Sequence, residues 1–199
     1  MKTQFKRPLL AVATAAALTA LAASPAHAIR FVGVAAEGPL VVEDYSVDGL
    51  MSFDIDFGAV TTATLSYMVE AGDLGGMGLS FNAVLRNFAG MGLGGYDFGL
   101  STGAFEEVGT VTRQFGGSST LAFSGANATV RFASPEFLDV EIGDPLSVGA
   151  GKVDWAIDGL AAGDRLSITV SAVPEPGTYA LLLSGIGLVG WLARRRRSA

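Results

Sequence analysis

The chain has 199 residues, a formal net charge of −6, no cysteine and a single histidine. From Ile29 to Val173 there is neither cysteine nor histidine, since His27 lies nearer the start; this excludes disulfides, thiol nucleophiles, imidazole bases and the usual zinc, copper or haem ligands. The same span sets six basic side chains against eighteen acidic ones, a balance that repels nucleic acid and favours solubility and divalent cations.

The first twenty-eight residues read as a signal peptide. Lys2, Lys6 and Arg7 make a positive start, and Leu9 to Ala23 an alanine- and leucine-rich core too short to span a bilayer. Ala26 and Ala28 then supply the small residues of a signal-peptidase site, which predicts cleavage after Ala28 and a mature chain beginning at Ile29.

Residues 29–172 carry strand patterning. Met51, Phe53, Ile55 and Phe57 alternate with Ser52, Asp54 and Asp56, the period of two that buries one face of a sheet. The pattern returns at Leu65–Val69, at Leu79–Leu85, at Val130 and Phe132, at Val153–Ile157 and at Leu166–Ala172. Turn signals separate these runs, among them Glu37-Gly38-Pro39, Asp48-Gly49 and Gly143-Asp144-Pro145, and no sustained helical period interrupts them. The span suits one domain, with its stability drawn from core burial. The expected fold is all-β, an antiparallel β-sandwich that is jelly-roll-like in broad terms.

Between Ala71 and Gly103 glycine is dense, and Gly76-Met77-Gly78-Leu79 recurs as Gly90-Met91-Gly92-Leu93. Two copies are too few for a solenoid, so these read as glycine turns flanking the Leu79–Arg86 strand. A flexible loop that contacts a polymer is the sharper alternative.

Carboxylates are the plentiful reactive groups. Asp54 and Asp56 share a strand face, and Asp48 lies in a turn nearby; such an oxygen-rich set could ligate one structural calcium ion, the only cofactor expected. No calcium-loop spacing is present, and solvated strand carboxylates that keep edges apart are the blander explanation. Paired carboxylates also suffice for glycoside hydrolysis, but no pair is marked out from the rest. For sugar stacking the aromatic candidates are Tyr45, Tyr96 and Trp155. Trp155 falls on the inward register, which leaves Tyr96, beside Asp97, as the outward ligand candidate.

Residues 173–199 behave differently from everything before them. Val173-Pro174-Glu175-Pro176-Gly177 is followed by an apolar run from Thr178 to Ala193 and then by Arg194, Arg195, Arg196 and Arg197. At ~1.5 Å per residue the run makes roughly 24 Å of helix against a hydrocarbon core of ~30 Å. A single transmembrane helix is expected, with Trp191 at the interface and the arginines kept on the cytoplasmic side. Pro174 and Pro176 push their neighbours toward extended geometry, so Val173 to Pro176 is expected as an extended peptide free of sheet and helix. The ordered set of motif, apolar helix and terminal arginines resembles the PEP-CTERM sorting signal of exported bacterial proteins. That resemblance covers only this tail. It implies that Pro174, Glu175 and Pro176 are recognised in trans by an exosortase-type membrane peptidase, as substrate residues.

The expected protein is therefore not an enzyme. It is exported across the inner membrane of a bacterium, held transiently through its C-terminal helix, trimmed, and left at the cell surface or in the extracellular matrix. A carbohydrate-binding module acting on extracellular polysaccharide is the alternative, and a carboxylate-based glycoside hydrolase stands third. Nucleic acid is rejected as a partner.

Overall fold

Alternating apolar residues form strands here because one pleated face can bury while the other keeps its polar side chains in water. The computed structural model describes residues 29–75, 78–149 and 151–197. The expected signal peptide, with Ala26 and Ala28, lies outside the described residues, as does the Gly76-Met77 pair. Ile29, the residue that the expected cleavage would make N-terminal, is buried in the core.

The described domain is mostly β and contains an antiparallel and a mixed sheet. The first sheet has six strands in the order β1 (Arg30–Ala36), β4 (Thr62–Met68), β13 (Arg165–Pro174), β6 (Leu93–Leu100), β10 (Asn127–Glu136) and β9 (Ser119–Ser124). Every neighbouring pair in it is antiparallel. The second sheet runs β2 (Leu40–Asp44), β3 (Leu50–Phe57), β5 (Leu79–Asn87), β11 (Val140–Ile142) and β8 (Val111–Arg113). Strand β12 (Trp155–Asp158) pairs with the start of β5 and carries β7 (Ala104–Glu107) on its far side. Antiparallel pairing was expected throughout, and one pair corrects that: β3 and β5 run parallel from Leu50↔Ser80 to Phe57↔Asn87. The chain can return in the same direction because β4, in the other sheet, supplies the crossover between them.

Both sheets contribute to a single core. Phe53, Ile55 and Phe57 of β3 and Phe81 and Leu85 of β5 are fully buried, as are Leu65 and Tyr67 of β4 and Ile168 and Val170 of β13. Aromatic rings link the sheets: Phe81 lies 5.9 Å from Phe98 of β6 edge to face, and Phe57 lies 5.6 Å from Tyr96. Trp155 packs 5.0 Å from Phe98 and donates its indole N–H to the Thr110 carbonyl at 3.3 Å, so its inward register is as expected. Edge-to-face contacts of this kind add to the stabilisation from burial alone.

The glycine-dense segment holds a strand that composition hid. In β6, Tyr96, Phe98 and Leu100 face the core while Asp97 and Gly99 are half-buried on the other side. Gly95 is there for space: a Cβ would stand 2.0 Å from the Val130 carbonyl oxygen. The turn reading holds for Gly78 and Gly90, at φ +74° and +71°.

Candidate functional site

Strand β13 leads into the tail from the middle of a sheet. Its inward residues Leu166, Ile168, Val170 and Ala172 are buried. Its outward hydroxyls pair with those of β4: Ser167 with Ser66 at 3.0 Å, Thr169 with Thr64 at 3.0 Å, and Ser171 with Thr62 at 2.9 Å. On the other flank the strand follows β6 until Val173 stands opposite Gly95 and Pro174 opposite Leu93, with a register shift between them. That irregularity is how a proline, which has no N–H to donate, can end a strand with a partner on this side.

The motif residues thus differ from expectation. Val173 and Pro174 belong to the sheet, and Pro176 begins helix α1 (Pro176–Arg197). Glu175 alone stands between the two elements, half-buried. Free extended peptide from Val173 to Pro176 is corrected to a one-residue joint. Pro176 suits the first helical position, where a missing N–H is no loss, and a carboxylate immediately before it favours the positive end of the helix.

Along α1, Leu181, Leu182, Leu183, Ile186, Leu188 and Val189 are all exposed. These side chains have no place in the domain core. Among the described residues no helix is long and apolar enough to cross a membrane, so the expected transmembrane helix is not shown as such. The helix includes Arg194, Arg195, Arg196 and Arg197 as its last turn, where positive charge favours the negative end of the helix dipole.

Residues 172–197 match the family model of the PEP-CTERM protein-sorting motif. The tail is a PEP-CTERM sorting motif. The motif supports an exported bacterial chain, transiently anchored at its C-terminus and processed by an exosortase-type peptidase. No curated protein matches the chain, and no solved structure does either.

The remaining sequence candidates are dispersed. Tyr96 is not an outward ligand residue: it is fully buried between Phe57 and Phe132, and its hydroxyl has no partner among the described residues. Burial pushes that hydroxyl's pKa upward, with the charges of Glu136 and Asp139 adding to the effect. It faces inward because the strand alternation of β6 runs through the glycines. Tyr45 is exposed and donates to Glu43 at 2.5 Å, the bond that contributes most to raising its pKa.

Asp54 and Asp56 do lie on one face, but both engage Arg86: Asp56 accepts at 2.9 Å and Asp54 pairs with the second guanidinium nitrogen. Asp48 is exposed in the β2–β3 turn, off the strand face that carries the other two. Among the described residues no group of three Asp, Glu, His or Cys is placed to hold a metal ion. A cleft of about 860 Å³ lies over β7 and β12 and is lined by Glu106, Glu107, Asp154 and Asp158. Among the described residues no aromatic side chain lines it for a sugar to stack on.

Sequence reasoning missed a buried ion pair. Arg113 of β8 donates from Nε to Glu136 of β10 at 2.8 Å, with both side chains almost wholly buried. Arg113 also donates to the carbonyls of Ser134 and Pro135, and its guanidinium lies 4.8 Å from the centre of the Phe132 ring. Glu136 accepts the backbone N–H groups of Phe137 and Leu138 at 3.0 and 3.1 Å. No local pattern marks residues this far apart in sequence as partners.

Proposed function

We propose that this is an exported, non-enzymatic cell-surface or extracellular-matrix protein, a β-sandwich carried to the outer face of the inner membrane and held there by α1 until an exosortase-type peptidase trims it. The observation that carries the proposal is the junction. A central strand passes through a single residue, Glu175, into a helix whose apolar side chains are unclaimed by the domain and whose last turn is arginine. Contiguous exposed apolar surface of this kind calls for an apolar partner outside the chain. Bilayer thinning and arginine snorkelling can accommodate a short apolar run.

Trimming at the motif also requires backbone that a peptidase can grip. Pro174 donates nothing to the ladder, so the end of β13 is its weakest-held part and can lift away from Leu93 and Gly95. A carbohydrate-binding role would share the same export route, but it loses Tyr96, the aromatic on which it rested.

The test is the intact mass of the protein recovered from its native host. Wild type is expected to lack both residues 1–28 and a C-terminal segment including Arg194. In Glu175→Ala and in the Pro174→Ala, Pro176→Ala double variant the tail should remain while the melting temperature is unchanged. Normal trimming of both variants would remove the proposal.

A further inference from the structure

The register of the sheets fixes which loops share an end with the sorting tail. Pro174 stands opposite Leu93, and Leu93 opposite Glu136, so the end of β13, the start of β6 and the end of β10 lie side by side. The 88–92 loop enters β6 there, and the 137–139 loop leaves β10 there. In the second sheet Arg113 pairs with Val140, which brings the 114–118 loop to the same end.

Large apolar side chains stand out from these three loops. Phe115 is 82 % exposed, Phe88 63 % and Phe137 58 %, with Met91 and Leu138 beside them. These three loops carry one charged residue, Asp139, and the 37–39 loop, brought to the same end by β1 and β4, adds Glu37. The opposite end of the domain is acidic, with Asp48, Glu70, Asp144 and Asp164 in its turns and connections.

The exposed loops are also held in place. The buried Glu136 carboxylate grips the backbone of Phe137 and Leu138, and Arg113 grips the carbonyls of Ser134 and Pro135. Asn87 ties the 88–92 loop down by donating to the carbonyls of Met91 and Glu136 at 2.8 and 3.1 Å. Phe88, Met91, Phe137 and Leu138 thus stand on loops held by a satisfied polar frame.

We infer that this end is a membrane-docking tip: Phe88, Met91, Phe115, Phe137 and Leu138 enter the interface of the bilayer that α1 reaches. The occupant follows from continuity and charge. Only Glu175 separates the sheet from α1, and a residue of extended chain spans ~3.3 Å, so a helix that begins in the bilayer keeps these loops at its surface. The acidic end then points away from the membrane, where an anionic surface repels it least. Docking presents the joint at Glu175 to a membrane peptidase in one fixed pose. The inference rests on the tail reading above, because without an anchored α1 nothing brings the tip to lipid.

The chain has no cysteine, so single labels report position directly. The full chain carrying Gln114→Cys or Val148→Cys, each labelled with an environment-sensitive fluorophore, is reconstituted into phosphatidylcholine vesicles containing brominated lipid. Co-flotation with the vesicles reports the tail, and quenching of the label reports the tip. The expected result is co-flotation of both proteins, with quenching several-fold stronger at position 114 than at 148. Adding Phe88→Ser, Phe115→Ser and Phe137→Ser should abolish the difference while flotation and melting stay unchanged. Co-flotation with equal quenching at the two positions overturns the tip alone. Quenching at 114 that survives the three serines also overturns it, since the tether would then explain the proximity. Failure to co-float overturns the tail reading and the tip with it.

Discussion

The β domain and its tail are built from much the same residues and treat them in opposite ways. In β13 the apolar side chains come at every second position, each buried, with a hydroxyl between them that pairs across to β4. In α1 the apolar side chains are nearly contiguous and exposed. Alternation records a partner within the chain, because one face must meet water. Under the proposal above, a continuous apolar run with terminal arginines records a partner outside it. The strands accordingly share a buried core, and the tail carries the sorting motif.

Three changes in the domain sharpen that contrast, and the largest concerns its buried ion pair. Arg113→Ala leaves Glu136 buried without its cation, and the loss of one partner of such a pair costs about 3–5 kcal/mol. The midpoint of urea unfolding should fall accordingly, whereas Ile186→Asp in the tail should leave it where it was. Equal shifts in the two variants would mean that the tail is part of the domain's core after all.

A smaller effect of opposite sign is expected at Tyr96. Its hydroxyl is buried without a partner, and Tyr96→Phe removes a desolvation cost of about 1–3 kcal/mol. The melting temperature should rise, and polysaccharide binding, if any is found, should be unaffected. A fall in stability would mean that a buried water serves the hydroxyl.

The smallest effect concerns Asp139. Burial pushes its pKa above the ordinary 3.8, with the nearby carboxylates adding to the rise and Arg86 opposing it. The folded state therefore holds this proton more tightly than the unfolded chain does. Stability falls as pH rises from the ordinary carboxylate value through the raised one. Asp139→Asn should melt slightly higher than wild type at pH 7, with the gain vanishing below pH 3.8, as thermal melts across that range would reveal. A gain that persisted in acid would assign the effect to packing instead of charge.

Amino-acid order alone was enough to recognise the sorting motif, because its parts are contiguous, although it did not foretell that Val173 and Pro174 join the sheet. It was also enough for those strands whose alternation is carried by large side chains, such as Met51 to Phe57 and Leu166 to Ala172, and for the inward face of Trp155. Tertiary structure decided what depends on distant neighbours. Strand β6 exists because Gly95 lets the Val130 backbone approach closely, a requirement invisible in a glycine-rich stretch, and that strand turns Tyr96 inward. Asp54 and Asp56 are neighbours by sequence, but only the parallel pairing of β3 with β5 places Arg86 against both. The same holds for Arg113 and Glu136, and for the apolar loops gathered around the exit of the tail. Local chemistry is written along the chain, whereas the partner of a side chain is set by which strands the fold lays next to each other.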